Sequence, residues 1–274
     1  MSDAGSLTDV KAIAREVIAV LGQGRQITPF SARHPLDLGK AYRVTAAVRQ
    51  AREANGEKVL GRKIGFTNRT IWEQYGVYAP IWGYVYDSTV HDIADIDGAF
   101  SLATFAEPRI EPEVVFGLTS APDARMDERD LLSCIGWVAH GFEIVQSVFP
   151  GWKFAAPDTV AAFGLHGALL IGERHPVADA REEWLRALSS FDIALHRNGE
   201  VVDRGHTSNV LDGPLSALRH LVELLAHDEV NPSIQAGEIV TTGTLTQAML
   251  INPGERWTTT LSGVRFGGID IRFG

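Results

Sequence analysis

The sequence predicts an α+β protein in which a helical N-terminal part, residues 1–56, precedes a β-rich core, residues 57–274. Apolar residues recur twice at helical spacing before Asn55-Gly56, and beyond that point short apolar segments alternate with Gly, Pro and Asp. Near the C-terminus Asn198-Gly199 separates two such segments, and its tolerance of positive φ suits a tight hairpin turn.

The first helix is expected from Leu7 to Leu21, where Leu7, Val10, Ile13, Ala14, Val17, Ile18 and Leu21 share a face and Gly22 and Gly24 follow as stop signals. A second runs from about Leu36 to Ala54, turning Ala41, Val44, Ala47, Val48 and Ala51 to the core. Gly22 to Pro35 reads as a mobile connection. Strands are expected at Val59–Phe66, Trp82–Tyr86, Ile110–Leu118, Gly141–Gln146 and Ala168–Gly172. Helices interrupt them around Thr70–Tyr75, Glu128–Val138 and Pro214–Ala226, the last capped by Asp212. Phe191–His196 and Val201–Arg204 flank the hairpin turn, and Ile239–Thr242, Trp257–Ser262 and Arg265–Arg272 add further strands. With no internal repeat or low-complexity tract, one domain over 1–274 is the simplest organisation.

A chain of 274 residues with 45% hydrophobic and 22% charged side chains can bury a large core. Its net charge of -9 opposes a phosphate backbone, so nucleic acid is not an expected partner. The N-terminus lacks a basic run followed by an apolar one, and no apolar stretch reaches the roughly 20 residues of a membrane helix. A cytoplasmic protein without a membrane partner is expected. The single cysteine, Cys134, excludes an intramolecular disulfide and lies in an apolar run where burial is its ordinary fate.

Glu111 and Glu113 stand two apart on an expected strand and so share a face. Adjacent carboxylates repel, so one takes a proton or a cation sits between them, and hard oxygen ligands suit Mg²⁺ or Mn²⁺. An exposed face of solvated acids would give the same pattern. Glu143 differs, because Phe142, Ile144 and Val145 surround it with apolar character and a buried acid needs a partner. Lys63 lies between Gly61 and Gly65, which permit close approach of backbone or ligand, and Lys153 lies between Trp152 and Phe154. Either lysine could equally be at the surface. The run Thr241-Thr242-Gly243-Thr244-Leu245-Thr246 offers hydroxyls and backbone N–H groups that could hold a carboxylate, or simply ends a strand. His140 and His166 read as core or surface residues, since no His-x-x-x-His pair or nucleophile triad accompanies them.

Six motifs in order resemble the hydratase and decarboxylase branch of the fumarylacetoacetate hydrolase superfamily. They are Gly61-Arg62-Lys63-Ile64-Gly65, Arg109-Ile110-Glu111-Pro112-Glu113, Glu143-Ile144-Val145, Trp152-Lys153, Asp158-Thr159-Val160-Ala161, and Ala236-Gly237-Glu238-Ile239-Val240 followed by Gly243-Thr244-Leu245. The resemblance implies a mixed β-sheet, barrel-like core and Mg²⁺ or Mn²⁺ bound by Glu111, Glu113 and Glu143. It implies a small 2-oxo or 2-hydroxydienoic acid as substrate, with Lys63 facing it and Gly243, Thr244 and Leu245 holding its carboxylate. Lys153 is a second catalytic candidate, and Phe66 and Trp82 are candidate substrate contacts. With Trp72 and Tyr84 they add aromatic bulk where the resemblance leads one to expect small polar residues, which suggests a substrate larger or more apolar than pentadienoate.

The implied role is hydration of a 2-hydroxy-2,4-dienoate to a 4-hydroxy-2-oxo acid in aromatic-compound catabolism, by a homo-oligomer or in complex with a related pathway enzyme. The same chelate serves decarboxylation of a 2-oxo-3-enedioate, with Arg33, Arg62 and Arg69 as candidate partners for a second carboxylate. A C–C bond hydrolase would need a water-activating His paired with an acid, which the sequence does not reveal. A silent partner subunit would bind no metal. Hydration is the favoured expectation, and Lys63 could move a proton if its surroundings lower its pKa.

Overall fold

The computed structural model describes residues 3–75 and 77–274. Two helices come first, α1 (Asp3–Val20) and α2 (Leu38–Ala54), followed by β1 (Val59–Gly65), the short α3 (Trp72–Tyr75), β2 (Ile81–Tyr86) and β3 (Val90–Asp92). The middle of the chain supplies β4 (Arg109–Leu118), α4 (Glu128–Ser133), β5 (Ile135–Val145), α5 (Ala156–Ala161), β6 (His166–Pro176) and α6 (Arg181–Ser189). Then come β7 (Asp192–Arg197), β8 (Glu200–His206), α7 (Pro214–Ala226), β9 (Ile239–Thr241), β10 (Met249–Leu250), β11 (Arg256–Ser262) and β12 (Asp270–Arg272). Among the described residues no helix is long and apolar enough to cross a membrane.

One mixed sheet runs in the order β2-β1-β9-β4-β5-β6-β3, with β10 also paired to β4. It is parallel at β1/β9 and β3/β6 and antiparallel at its other pairings. A second sheet, β12-β11-β7-β8, is wholly antiparallel. The larger sheet curls. On its inner face Val85, Val115, Ala139, Leu169, Ile171 and Ile239 form an apolar plug. The outer face buries Val114, Phe116 and Val138 against α4, α6 and α7, and Ile110, Phe142 and Ile144 against the second sheet. The N-terminal helices α1 and α2 pack with α5 and the segment around Val148 and Phe149. The α+β expectation, a helical front and a sheet-rich remainder, describes this architecture.

Several local expectations are corrected. Leu131, Leu132, Ile135 and Val138 fit a helical period, yet the helix stops at Ser133 and Ile135 opens β5. Short apolar runs satisfy both periods, and pairing of Phe116 with Val138 and Val115 with Ala139 decides for the strand. Asp212 does not cap α7; the N-cap is Gly213, and Asp212 pairs with Arg69 instead. The stretch 22–35 is tied down, because Ile27 donates to the Val148 carbonyl and the Ser31 N–H and hydroxyl both donate to Asp158. Of Arg265–Arg272 only the last three residues form a strand.

Gly61 shows how closely the curl brings its strands together. A Cβ added there would lie 1.9 Å from the Ile239 carbonyl oxygen on β9. Gly61→Ala is therefore expected to destabilise the protein by about 1–3 kcal/mol or more, since backbone atoms cannot yield as a flexible side chain does. Urea denaturation checks this, and an unchanged midpoint would contradict the close β1/β9 approach.

A candidate metal centre inside the curl

The register of β4 and β5 sets Glu111 opposite Glu143 and Glu113 opposite Gly141. Glu113 and Glu143 are fully buried and Glu111 is half-buried. Their carboxylates each present an oxygen, and these oxygens lie within 4.8 Å of one another. The arrangement brings together all three acids singled out in the sequence.

Each buried acid is held on one side and open on the other. Glu113 Oε2 accepts from the Gly243 N–H at 2.8 Å and from the Thr241 hydroxyl. Glu143 Oε1 accepts from His166 Nδ1 at 2.8 Å. Of the remaining oxygens, Glu113 Oε1 is shielded from solvent without any partner, and Glu143 Oε2 meets the Lys63 ammonium alone. Orphaned buried carboxylate oxygens are costly, and a divalent cation is the ligand that relieves them. Oxygens bound to Mg²⁺ at about 2.1 Å stand at most about 4.2 Å apart, so a small side-chain adjustment closes the cluster. The residues fit such an ion.

Lys63 supplies the positive charge inside the cluster. Its Nζ lies 3.1 Å from Glu143 Oε2 and donates to the Gly164 carbonyl at 3.0 Å. Burial pulls its ammonium down, but the fields of Glu143, Glu111 and Glu113 together outweigh burial and raise it above the ordinary lysine value. The condition that its surroundings lower its pKa is thus reversed. Burial pushes Glu111 up to about 7 and Glu113 well above the carboxylate range. Burial also opposes the charge of Glu143, but Lys63 and His166 hold it below the ordinary value. One cation serves three acids, and without a metal the imbalance favours the protonated forms of Glu113 and, below about pH 7, of Glu111.

Next to the acids lies a cavity of about 540 Å³. Lys63, Glu111, Phe66, Gly243 and Thr244 line it. Other candidates lie elsewhere. Lys153 is exposed and outside the cavity, while its neighbours Trp152 and Phe154 face in. Leu245 is buried in the core, and its N–H is committed to the Pro112 carbonyl. Trp82 is buried against Tyr42, with ring centroids 5.0 Å apart, because alternation along β2 turns it away. Tyr84 is buried beneath Arg62, and the Trp72 indole donates to the Phe66 carbonyl. The aromatic bulk after Lys63 thus mostly packs the core and gives no ground for a bulkier substrate. Arg33 pairs with Glu16, Arg62 with Glu238 and Arg69 with Asp212, and none of the three lines the cavity.

The structure also gathers residues that sequence reasoning left without a role. His166 is paired with an acid, but its other nitrogen, Nε2, lies 2.9 Å from the Thr89 hydroxyl. Burial pushes its pKa down; Nδ1–H donates to the Glu143 carboxylate, and Nε2 faces the Thr89 hydroxyl, which also reaches the Tyr86 carbonyl. It stands behind Glu143 and orients it, with no free nitrogen to activate a water. Arg109 also lines the cavity. It shares the alternation that aligned Glu111 with Glu113, so the same period would have found it.

Strained backbone surrounds this cavity. Phe66, Trp152 and Leu165 all have positive φ, at 54°, 57° and 64°. Non-glycine residues adopt that region at a cost, and such strain persists where surrounding structure holds a site in place. The left-handed turn Phe163-Gly164-Leu165 presents the carbonyl that receives Lys63.

A buried acid cluster open to a cavity through a lysine and a half-buried glutamate has the donor set and the neighbouring space that a cation and a small ligand would need. Comparison places it further. The fumarylacetoacetate (FAA) hydrolase C-terminal family model matches residues 88–269. The chain belongs to the fumarylacetoacetate hydrolase family. It is 29% identical over 258 residues to 2-hydroxyhexa-2,4-dienoate hydratase of Comamonas testosteroni, covering 92% of this chain and 93% of that protein. It is 30% identical over 267 residues to 2-keto-4-pentenoate hydratase 1 of Dechloromonas aromatica (strain RCB), covering 96% and 97%. Among solved structures, 4-oxalocrotonate decarboxylase from Pseudomonas putida G7, complexed with magnesium and adipate, matches with a TM-score of 0.86 and 27% identity over 97% of each chain.

Replacing Lys63 with Met would leave the buried carboxylates without their cation. In the presence of a chelator Lys63→Met is expected to lose about 3–5 kcal/mol of stability, the cost of breaking a buried pair from one side. Added Mg²⁺ should restore part of the loss. Guanidinium denaturation with and without Mg²⁺ measures both, and an unperturbed variant would show that the acids do not depend on Lys63.

Proposed function

We propose that this chain is a divalent-metal-dependent lyase that adds water to a small 2-hydroxy-2,4-dienoate, through its 2-oxo-enoate tautomer, to give a 4-hydroxy-2-oxo acid. The observation that carries the reading is the convergence of oxygens from Glu111, Glu113 and Glu143 within 4.8 Å of one another, with Glu113 Oε1 buried and unpartnered and Glu111 lining the cavity. Both hydratase relatives described above support the reaction type.

Glu111, Glu113 and Glu143 would hold Mg²⁺ or Mn²⁺, which supplies Lewis acidity and a template for a 2-oxo acid. Two directions around Lys63 Nζ are taken by Gly164 and Glu143, and an ammonium has three N–H donors. The third can donate to the substrate oxygen on which negative charge grows, stabilising it in a site with little water to compete. Held against Glu143, Lys63 works as a protonated donor and not as a base. Thr244 contributes its N–H to the substrate carboxylate at the Glu113 end of the cavity, and Gly243 keeps Glu113 in place through its own N–H. His166 fixes the orientation of Glu143. Apolar walls at Ile81, Val145 and Phe154 limit water to the reacting face.

The high similarity to a decarboxylase structure makes CO₂ loss the competing outcome. Purified, Mg²⁺-loaded protein is to be mixed separately with 2-hydroxypenta-2,4-dienoate and 2-oxo-3-hexenedioate, and the products weighed by mass spectrometry. Gain of water on either acid without CO₂ loss is the expected result. CO₂ loss from the diacid without hydration would make the protein a decarboxylase.

Metal binding should also carry a proton signature. Because burial pushes Glu111 up to about 7, a proton must leave it when a cation binds, and Mg²⁺ affinity is expected to rise with pH through about 7. Titration calorimetry near pH 7 in buffers of different ionisation enthalpy should show net proton release. No proton release would remove both Glu111 and Glu113 from the ligand set, since Glu113 is raised as well.

A further inference from the structure

We infer that Asp203 is the group that holds and deprotonates the water added to the substrate, with the Asn209 side-chain carbonyl as its partner on the cavity wall. This deepens the proposed function and rests on it.

Water addition needs a base, and the cavity offers few. Among the described residues no histidine, cysteine or tyrosine lines it, and its ionisable side chains are Lys63, Arg109, Glu111, Asp203 and Arg204. Lys63 is a cation held by Glu143 and the Gly164 carbonyl, and an arginine stays protonated. Only the two carboxylates remain. Glu111 belongs to the acid cluster that would hold the metal, and Asp203 stands outside that cluster.

The fold brings Asp203 to the level of Glu111. The segment 242–250 runs antiparallel to β4: Leu245 donates to the Pro112 carbonyl and Met249 pairs with Ile110, so Gln247 falls beside Glu111. β8 lies against the same segment, so closely that a Cβ on Gly205 would stand 2.0 Å from the Leu245 carbonyl oxygen. Asp203, two residues before Gly205, shares its face. Its Oδ2 accepts from the Gln247 N–H at 2.8 Å, and its Oδ1 accepts from the Arg204 N–H at 2.8 Å. Asn209 fastens to the same segment, its Nδ2 donating to the Leu245 carbonyl at 2.9 Å, and it too lines the cavity.

These contacts fix both side chains and leave each with acceptor capacity. A carboxylate has about four lone-pair sites, and two of those on Asp203 are taken. Asn209 uses only its amide nitrogen, so among the described residues its Oδ1 is free to accept. A water that gives one hydrogen to Asp203 and the other to Asn209 Oδ1 turns its lone pairs toward a ligand seated at Glu111.

In the addition, the water oxygen bonds to C4 of the 2-oxo-3-enoate as its proton passes to Asp203. The C3=C4 pair moves to C2–C3 and the C2=O pair moves onto the C2 oxygen, where Lys63 donates. Asp203 then returns the proton to C3 and the C2 carbonyl re-forms. H and OH have been added across C3=C4, and the carboxylate is regenerated. A base that gives a proton to C3 also removes one, so Asp203 should exchange the C3 hydrogens of a saturated 2-oxo acid with solvent.

The test uses Mg²⁺-loaded protein with 2-hydroxypenta-2,4-dienoate for turnover. 2-Oxopentanoate, which has no C=C bond, serves for calorimetric binding and for exchange of its C3 hydrogens in D₂O, followed by proton NMR. Asp203→Asn should lower kcat for hydration by roughly a hundred- to ten-thousandfold, while KM and 2-oxopentanoate affinity stay within about threefold. It should also stop deuterium from entering C3, a readout that a residue merely shaping the wall would leave unchanged. Asp203→Ser, which keeps an oxygen for the Gln247 N–H, should match it and keeps the test open if Asp203→Asn misfolds. Asn209→Ala, which removes one hydrogen bond to the water, should cost about tenfold in kcat. Near-normal kcat and exchange in both Asp203 variants, or 2-oxopentanoate binding lost in step with kcat, would overturn the inference and leave the proposed reaction standing. A wild-type protein that leaves the dienoate unhydrated would overturn the proposed function and this inference together.

Discussion

Two carboxylates, Glu113 and Glu143, are carried wholly out of water on adjacent strands, with Glu111 at their edge and the ammonium of Lys63 among them. Desolvating a charge costs several kcal/mol unless it is paired and hydrogen-bonded, and one lysine cannot neutralise three acids. Much of the surrounding structure reads as compensation for that imbalance. Thr241 and Gly243 donate to one acid, His166 donates to another, and the pKa values of Glu111 and Glu113 rise until protons stand in for the missing positive charge. A divalent cation among these acids would relieve the same imbalance.

The backbone accepts strain to keep that cluster in place. Gly243 has a φ of 99°, and a Cβ there would lie 2.2 Å from the Thr67 hydroxyl, so no side chain can replace it while its N–H holds Glu113. Gly141, opposite Glu113 on β5, has no room for a side chain, since a Cβ there would lie 2.9 Å from the Leu170 carbonyl oxygen. The positive φ values of Phe66, Trp152 and Leu165 fall on the walls of the same cavity. Away from it, the inner face of the curl is filled by Val115, Ala139, Leu169 and Ile171, which makes a rigid, dry base against which the polar end is set. Rigidity of this kind matters to a site that must place a lysine and three acids within a few ångströms of one another.

The three acids were legible because strand alternation is a local rule. Glu111 and Glu113 share a face on any strand, and Glu143 stands out as a charge in an apolar run. Arg109 follows from the same rule two residues earlier, although the motif containing it drew attention only to its acids. Trp82 and Leu245 enter the expected site through the family resemblance, one as aromatic bulk after Lys63 and the other as part of the Gly243-Thr244-Leu245 motif. The alternation of β2 and the Leu245–Pro112 hydrogen bond turn both into the core. Lys153 fails for a related reason, since a 3-10 turn with Trp152 in the left-handed region points its two aromatic neighbours inward and leaves the lysine outside.

The sequence by itself determined the elements whose causes are local: the helical front, the hairpin at Asn198-Gly199, the face shared by Glu111 and Glu113, and the oxygen-rich character of the cluster. Only the tertiary structure decided what those acids meet. The register that sets Glu143 opposite Glu111, the reach of Lys63 to Gly164, the support of His166 from behind and the seating of Arg109 on Trp152 all join residues distant in the chain. No periodicity encodes such pairings, because they follow from which strands lie side by side, and that is settled by burial of the sheet's two faces as a whole.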